Sequence, residues 1–462
     1  MRVVSAVERL RGPRTFPRGV HPPGSKDATA GSPIELLRAT GDLVIPLLQH
    51  TGATCTSRVK PRQDVSFGEI LGDSETFVAA PVHASAAGRT GVGTVVTLPN
   101  GRRSPAVPLR PADGNRLPEG FLRDFLRRDW NGVEPARYDP DEIRDAVRRA
   151  GVVGLGGAAF PTHVKLQRNP ERPPDTLILN GCECEPYLTA DHRLMLEAPE
   201  AVVVGLQLAA RAVGVERAVI AIEDNKPDAL EALRTAAAGR PGVEVAVCAT
   251  QYPMGAERQL VWAVLGRTVP SAPRGLPLDV GALVLNVGTA HSIARAVVRG
   301  QPLTHRVVTV TGRGVARPGN WLAPIGTPFR ILVEAAGGIR EDAVEVIAGG
   351  PMMGHTVPHL DVPLVKGTGG LTVLLRDEVV THGETACIRC GRCVQACPLY
   401  LVPTKIAQAV KAGDLERAAA YDLNACCECG CCSYVCPAGI PLTQYIRAGK
   451  KQWRRHAAGS AA

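Results

Sequence analysis

The sequence predicts a multidomain fold of α/β and α+β modules that ends in a small helical domain organised around metal clusters. Three observations carry that expectation. The chain has 462 residues, enough for about three domains. Between residues 176 and 298, strand-like apolar runs alternate with helical patterns, as in a domain with a largely parallel sheet. Between residues 387 and 437, eight cysteines fall into two copies of C-x2-C-x2-C-x3-C-P, a spacing used to wrap iron–sulfur cubanes.

Residues 1–40 are rich in Pro, Gly and Arg and read as an irregular N-terminal arm containing His21-Pro22-Pro23. Residues 1–20 hold no continuous apolar stretch, so no signal peptide is expected. Short strands follow at 43–48, 57–59, 77–79 and 94–98, separated by turn residues. With their Gly-rich turns they resemble the barrel-sandwich of lipoyl and biotinyl carrier domains. Those domains present a modifiable lysine, and no lysine lies between Lys60 and Lys165. The module at 41–130 is therefore read as structural.

The next domain, 131–300, opens with a helix at 141–150, where Ile143, Ala146, Val147 and Ala150 share one face behind an acidic start. Gly151 ends it. The loop Gly154-Leu155-Gly156-Gly157-Ala158-Ala159-Phe160-Pro161-Thr162 comes next. Its glycines let backbone N–H groups approach a phosphate. A helix, not a strand, precedes them, so this is not the usual dinucleotide fingerprint. Strands are expected at 176–180, 218–223, 243–248 and 282–287, with helices at 197–213, 227–238, 255–264 and 289–298. At the end of the first strand, Asn180-Gly181-Cys182-Glu183-Cys184-Glu185 places two carboxylates at the carboxyl edge of a parallel sheet, where ligands of α/β domains bind. Cys182 and Cys184 cannot pair with each other in an extended segment. With no other cysteine nearby in sequence, they read as small lining residues.

Residues 301–380 change to an α+β pattern, with strands at 306–311, 329–332 and 371–375. In the turn 349–354, Met352 and Met353 read as core. The cluster domain spans 381–448. Three closely spaced thiolates hold one cubane and the fourth crosses to the other. One cluster would take Cys387, Cys390, Cys393 and Cys436; the other would take Cys426, Cys429, Cys432 and Cys397. Zinc, the alternative for soft ligands, needs only two C-x2-C pairs. Cys427 and Cys431 lie off the pattern and read as small residues. The spacer 404–421 carries two short helices split by Gly413. Residues 449–462 read as a solvated basic tail, with contact between its Trp453 and a membrane surface or an acidic partner as the other reading.

Composition narrows the function. The net charge is +9 and aromatic residues make up 4% of the chain. With no basic stripe interleaved with aromatics, a nucleic-acid partner is excluded. No apolar run approaches the ~18 residues of a membrane span. Clusters imply a reducing compartment. No Ser/His/Asp array suggests acid–base or nucleophilic catalysis, so no catalytic residues are assigned.

Residues 154–165, 179–187, Tyr252-Pro253-Met254-Gly255-Ala256-Glu257 and Asn286-Val287-Gly288-Thr289, with the double cysteine quartet, resemble the RnfC family, the C subunits of Rnf ion-translocating electron-transport complexes. The resemblance covers nearly the whole chain. The α/β domain is also similar to the FMN subunit of respiratory complex I. The resemblance implies an FMN and NADH domain, a β-grasp module of the SLBB kind, and a domain with two [4Fe–4S] clusters. It places Gly154, Gly156, Gly157 and Lys165 at the FMN phosphate and ribityl chain. Asn180, Glu183, Glu257, Asn286 and Thr289 would line the flavin, Phe160 would stack on the NADH adenine, and Glu185 would meet the nicotinamide ribose. Ala159 and Cys182 depart from the family pattern, which has Gly and Ala or Asp there. The implied role is the electron-input subunit of a translocase, peripheral on the cytoplasmic face of the bacterial inner membrane. Its partners would be the membrane subunits and ferredoxin or flavodoxin. A cobalamin-reductase type of protein and a pure electron relay are the alternatives.

Overall fold

The computed structural model describes residues 12–38, 41–112, 117, 119–127, 129–130, 132–271, 275–379 and 383–459. Residues 1–11, on which the signal-peptide expectation mostly rests, lie outside the described residues, as do 460–462 of the expected tail.

Four parallel strands form the central sheet, in the order Val243–Cys248, Arg217–Glu223, Thr176–Gly181, Ala282–Asn286. Leu177, Ile178, Leu179, Val219, Ile220 and Ala221 are fully buried, as expected of strands covered on both faces. Behind the sheet, the helices Pro199–Val213 and Val287–Arg299 pack so closely that a Cβ on Gly205 would run into the backbone of Ala290. The helix expected at 197–213 is Pro199–Val213, and a further helix that the sequence reading missed, Ala190–Glu197, comes just before it. Pro199 lacks an N–H and forces Ala198 out of the helical region, to φ −140° and ψ 43°. The helix Pro140–Arg149 starts where expected, with the Asp139 carboxylate accepting from the N–H groups of Asp141 and Glu142.

The N-terminal module is a sandwich of a five-stranded and a three-stranded sheet around Leu43, Ile45, Leu71, Val82 and Leu109. Its longest strand, Arg103–Pro111, escaped the sequence reading because Pro105, Pro108 and Pro111 interrupt it. Residues 77–79 form no strand; the chain pairs later, at Val82–His83.

The third module is a six-stranded mixed sheet, ordered Ile34–Leu36, Gly319–Pro324, His305–Thr311, Gly370–Leu375, Ala343–Ala348, His355–Thr356. Two expectations are corrected here. The arm is not wholly irregular, since Ile34–Leu36 adds a parallel edge strand to this sheet. Residues 329–332 are helical, within Phe329–Ala335, started after Pro328; a short apolar run does not separate strand from buried helix.

In the last domain, the helices Pro403–Lys411 and Leu415–Ala420 flank Gly413, at φ +75°. The basic tail is not a free segment. Residues 449–459 continue the helix Leu442–Gly459, and its Lys450 is buried, donating to the Cys426 carbonyl (2.6 Å) and the Glu428 carboxylate (2.9 Å). Among the described residues no helix is long and apolar enough to cross a membrane.

Candidate functional site

Asn180 and Asn286 end neighbouring parallel strands and pair in register. The Gly-rich loop closes over this edge. The Leu155 N–H donates to Thr289 Oγ1 (2.9 Å), and a Cβ on Gly156 would lie 3.4 Å from the Asn286 Cβ. Asn286 caps the helix Val287–Arg299, its Oδ1 accepting from the Gly288 N–H (2.9 Å). The positive end of that helix therefore faces the loop. Among the described residues, the N–H groups of Gly156, Gly157 and Ala158 donate to no other group of the chain. Gly157 and Ala159 have φ of +111° and +50°. Exposed N–H groups beside a helix N-terminus fit the phosphate of a mononucleotide such as FMN. Lys165, paired with Glu257 at 2.6 Å, stands on the helix after the loop. Asn180 Nδ2 donates to the Gly255 carbonyl (2.8 Å), bringing residues 252–257 to the same edge. Phe160 is half-buried at the end of the loop, its carbonyl accepting from the Gly154 N–H (2.8 Å).

The segment 182–191 is held by buried charges. Glu183, at φ +46°, accepts from the N–H groups of Asp191 (2.7 Å) and His192 (3.1 Å). Glu185 accepts from the N–H groups of Met352 (3.2 Å) and Met353 (2.7 Å), and burial pushes its carboxyl up to about 7. Of the three carboxylates expected around the nucleotide, Glu183 and Glu185 thus have backbone partners of their own, and Glu257 pairs with Lys165. Three cations from different parts of the chain brace the segment. Lys26 donates to the carbonyls of Glu183 (2.9 Å) and Glu185 (2.8 Å), and Lys226 to that of Cys182 (2.6 Å). Arg306 donates to the Leu155 carbonyl (2.8 Å) and interacts electrostatically with Asp191 and Glu183. Asp191 accepts from Asn286 Nδ2 (2.6 Å), and burial raises its carboxyl to about 6. Lys26, Lys226, Asp191 and Arg306 carry no local sequence signal, and none was expected here. Cys182 does have a cysteine neighbour: its thiol donates to the Ala221 carbonyl (3.8 Å) and packs in one buried cluster with Cys248, which the separation in sequence concealed.

The two cysteine quartets form an internal repeat, each cysteine of the second following its counterpart by 39 residues. The backbone repeats with them. Arg389 and Glu428 (φ +56° and +60°), Gly391 and Gly430 (+76° and +86°), and Tyr400 and Gly439 (+60° and +62°) are left-handed at matching positions. Each loop turns around its middle cysteine and enters a short helix, Arg392–Ala396 or Cys431–Tyr434. Six cysteines line one cavity: Cys397, Cys426, Cys429 and Cys432, which belong to the crossed set, together with Cys427 and Cys431, which lie off the pattern. A cubane needs four thiolate donors, and this cavity has enough cysteines to supply them. Cys393 and Cys436 pack in a neighbouring hydrophobic cluster, while Cys387 and Cys390 lie nearer solvent.

The two sites touch. The Tyr252 hydroxyl donates to the Cys429 carbonyl (2.7 Å), while Cys184, Met352 and Cys431 pack around that contact. On the other side, Cys184 Sγ accepts from the Gly255 N–H (3.3 Å), next to the carboxyl edge of the sheet.

Four family models match consecutive parts of the chain: the RnfC barrel sandwich hybrid domain over 14–111, the Nuo51 FMN-binding domain over 147–295, the SLBB domain over 307–356 and a 4Fe-4S dicluster domain over 386–441. The chain is 42% identical to the C subunit of the proton-translocating ferredoxin:NAD(+) oxidoreductase complex of Clostridium ljungdahlii, over 96% of this chain and 94% of that one. It is 42% identical to the C subunit of the Na(+)-translocating ferredoxin:NAD(+) oxidoreductase complex of Acetobacterium woodii, over 85% and 87%. The C subunit of the ion-translocating oxidoreductase complex of Rhodobacter capsulatus is also 42% identical, over 95% and 84%.

Proposed function

Because this chain belongs to the RnfC family, the C subunits of ion-translocating oxidoreductase complexes, we propose that it is the electron-input subunit of such a complex. It binds NADH, FMN and two [4Fe–4S] clusters, and exchanges electrons with the membrane subunits and with ferredoxin. It sits peripherally on the cytoplasmic face of the membrane. The FMN-binding and dicluster matches and the free N–H groups of the Gly-rich loop support this reading. The match over 14–111 to the RnfC barrel favours it over a cobalamin-reductase type of protein.

Bound FMN supplies the exchange between two-electron hydride transfer and single-electron steps, and the clusters carry single electrons. The chain supplies binding, orientation and insulation. Gly156, Gly157 and Ala158 offer N–H groups to the phosphate, and Lys165 adds positive charge. Phe160 offers an apolar face to the nucleotide base. Thr289 fixes the loop, and Asn180 and Asn286 fix the edge beneath it. Asp191 is a buried carboxyl able to hold a proton at Oδ1 or Oδ2 near that edge. Tyr252, Cys184 and Met352 keep water out of the gap toward Cys429.

The Tyr252–Cys429 hydrogen bond carries the reading, because it seats a cluster loop directly against the loop that borders the flavin. The test is anaerobic reconstitution of the full chain with iron, sulfide and FMN, followed by NADH. Bleaching of the flavin band and then of the cluster absorbance is expected. Tightly bound FMN that NADH leaves yellow would favour a relay without nucleotide binding, and zinc in place of iron would overturn the electron-transfer role.

A further inference from the structure

The two halves of the cysteine repeat share a backbone but not their surroundings. In the second half, the position after the first cysteine is Cys427, followed by Glu428; both are partly buried, and Cys429 and Cys431 are buried. This chain supplies the cover. Tyr252 bonds the Cys429 carbonyl, the Met352 carbonyl lies 2.7 Å from where a Gly430 Cβ would be, and Arg447 and Lys450 both pair with Glu428.

In the first half the same positions are Ile388, Arg389, Cys390 and Arg392, and all four are exposed, Ile388 at 68%. The charge at the matched position is inverted, Arg389 standing where Glu428 stands. Among the described residues neither Arg389 nor Arg392 has a carboxylate within ion-pair distance. An exposed isoleucine flanked by two guanidinium groups with no carboxylate beside them gives a small apolar centre with a basic rim, a composition complementary to an acidic protein surface.

We propose that the loop 388–392 is a docking surface for an acidic electron-carrying subunit of the same complex, seated as the flavin domain is seated on the matching loop of the other half. The carboxylates of that subunit would do for Arg389 and Arg392 what Arg447 and Lys450 do for Glu428. Ile388 would form the apolar centre of the contact, and Cys390 would lie beneath it. The inference rests on the reading of the quartets as cluster sites, although the binding it predicts is measured independently of electron flow.

The test uses the reconstituted full chain and the detergent-solubilised complex assembled without it, with binding followed by interferometry at low and high salt. Wild-type affinity should fall steeply with salt. The double variant Arg389→Glu/Arg392→Glu should weaken binding at least tenfold, while its iron content, cluster EPR signal and flavin bleaching by NADH stay at wild-type levels. Arg389→Lys/Arg392→Lys should keep most of the affinity. A photoreactive phenylalanine derivative in place of Ile388 should cross-link to an acidic peptide of one subunit. Unchanged binding by the glutamate variant, or cross-links to lipid alone, would overturn the proposal. So would binding of an added acidic ferredoxin at this loop that the solubilised complex fails to displace. Loss of iron from the wild-type chain would instead strike at the functional reading, and the binding arm would still stand or fall by itself.

Discussion

Ala159 holds a left-handed backbone, φ +50°, in the Gly-rich loop whose N–H groups are proposed to meet the FMN phosphate. For a residue with a Cβ this conformation costs about 1–2 kcal/mol. Glycine would relieve it, but glycine loses about 0.5–1 kcal/mol more chain entropy on folding. The terms nearly cancel, so Ala159→Gly is expected to leave the denaturant midpoint almost unchanged. Ala159→Val, β-branched at positive φ, should lower stability by more than ~1 kcal/mol, as equilibrium unfolding would show. Glu185 makes a second prediction. Burial lifts its carboxyl from the usual range to about 7, against the pull of the Met352 and Met353 N–H groups and Lys26. A raised value means that the folded chain holds the proton more tightly than the unfolded chain. Its contribution to stability is therefore full below about 4.5 and is lost as pH rises through 7. Glu185→Gln should remove that decline, and urea midpoints measured from pH 4.5 to 8 would read it. Among local features the dicluster domain was legible, because cysteine spacing is local. The partners of Glu183 and Glu185 were not, since Lys26 and Met353 come from distant segments, and Asp191, eight residues on from Glu183, marks nothing in a one-dimensional pattern.

Elements were legible wherever a period was sustained, as in the strand Val243–Cys248 and the helix Pro227–Ala237. They were lost where proline or brevity intervened. The strand Arg103–Pro111 carries three prolines, and Phe329–Ala335 is too short for its apolar run to declare a period. The helix pair behind the sheet positions the cradle, because the N-terminus of Val287–Arg299 faces the Gly-rich loop. Its distance from Pro199–Val213 is set by Gly205, where a Cβ would overlap the Ala290 backbone. Gly205→Ala gains about 1 kcal/mol of helix propensity. The clash is with backbone, which cannot rotate aside, and overpacking of this kind costs about 1–3 kcal/mol. A net loss is expected, together with displacement of Gly288 and Thr289 from the loop. The variant should bind less FMN per chain than wild type while keeping its iron, a ratio that absorbance and metal analysis would give.

Interfaces between modules usually permit relative motion, but here one buried side chain ties three modules together. Lys366 lies beside the six-stranded sheet. Its ammonium donates to the Pro81 carbonyl of the N-terminal sandwich (2.7 Å) and to the Gly151 carbonyl just before the Gly-rich loop (2.7 Å). Its own carbonyl accepts from Arg306 (2.8 Å), which also holds Leu155, and its N–H donates to Gln49 (3.1 Å). No carboxylate pairs with it among the described residues, and burial lowers its pKa to about 7. The order of the modules was legible from composition and motif, whereas this joint was not, because a single lysine after Val362-Pro363-Leu364-Val365 gives no sign of which distant carbonyls it meets. The sign of its pH effect follows from the lowered value. Between about 7 and 10.5 the unfolded chain binds a proton that the folded chain does not, so stability rises with pH across that window and levels off, at its lowest, below 7. Lys366→Met fills similar volume but leaves two buried carbonyls without donors, at roughly 1–3 kcal/mol each. The variant should melt earlier, should lose the rise in stability between pH 7 and 10, and should release FMN at a lower temperature than it loses secondary structure. Parallel flavin-fluorescence and circular-dichroism melts would check this; coincident transitions with wild-type pH dependence would show that the joint does not hold the cradle.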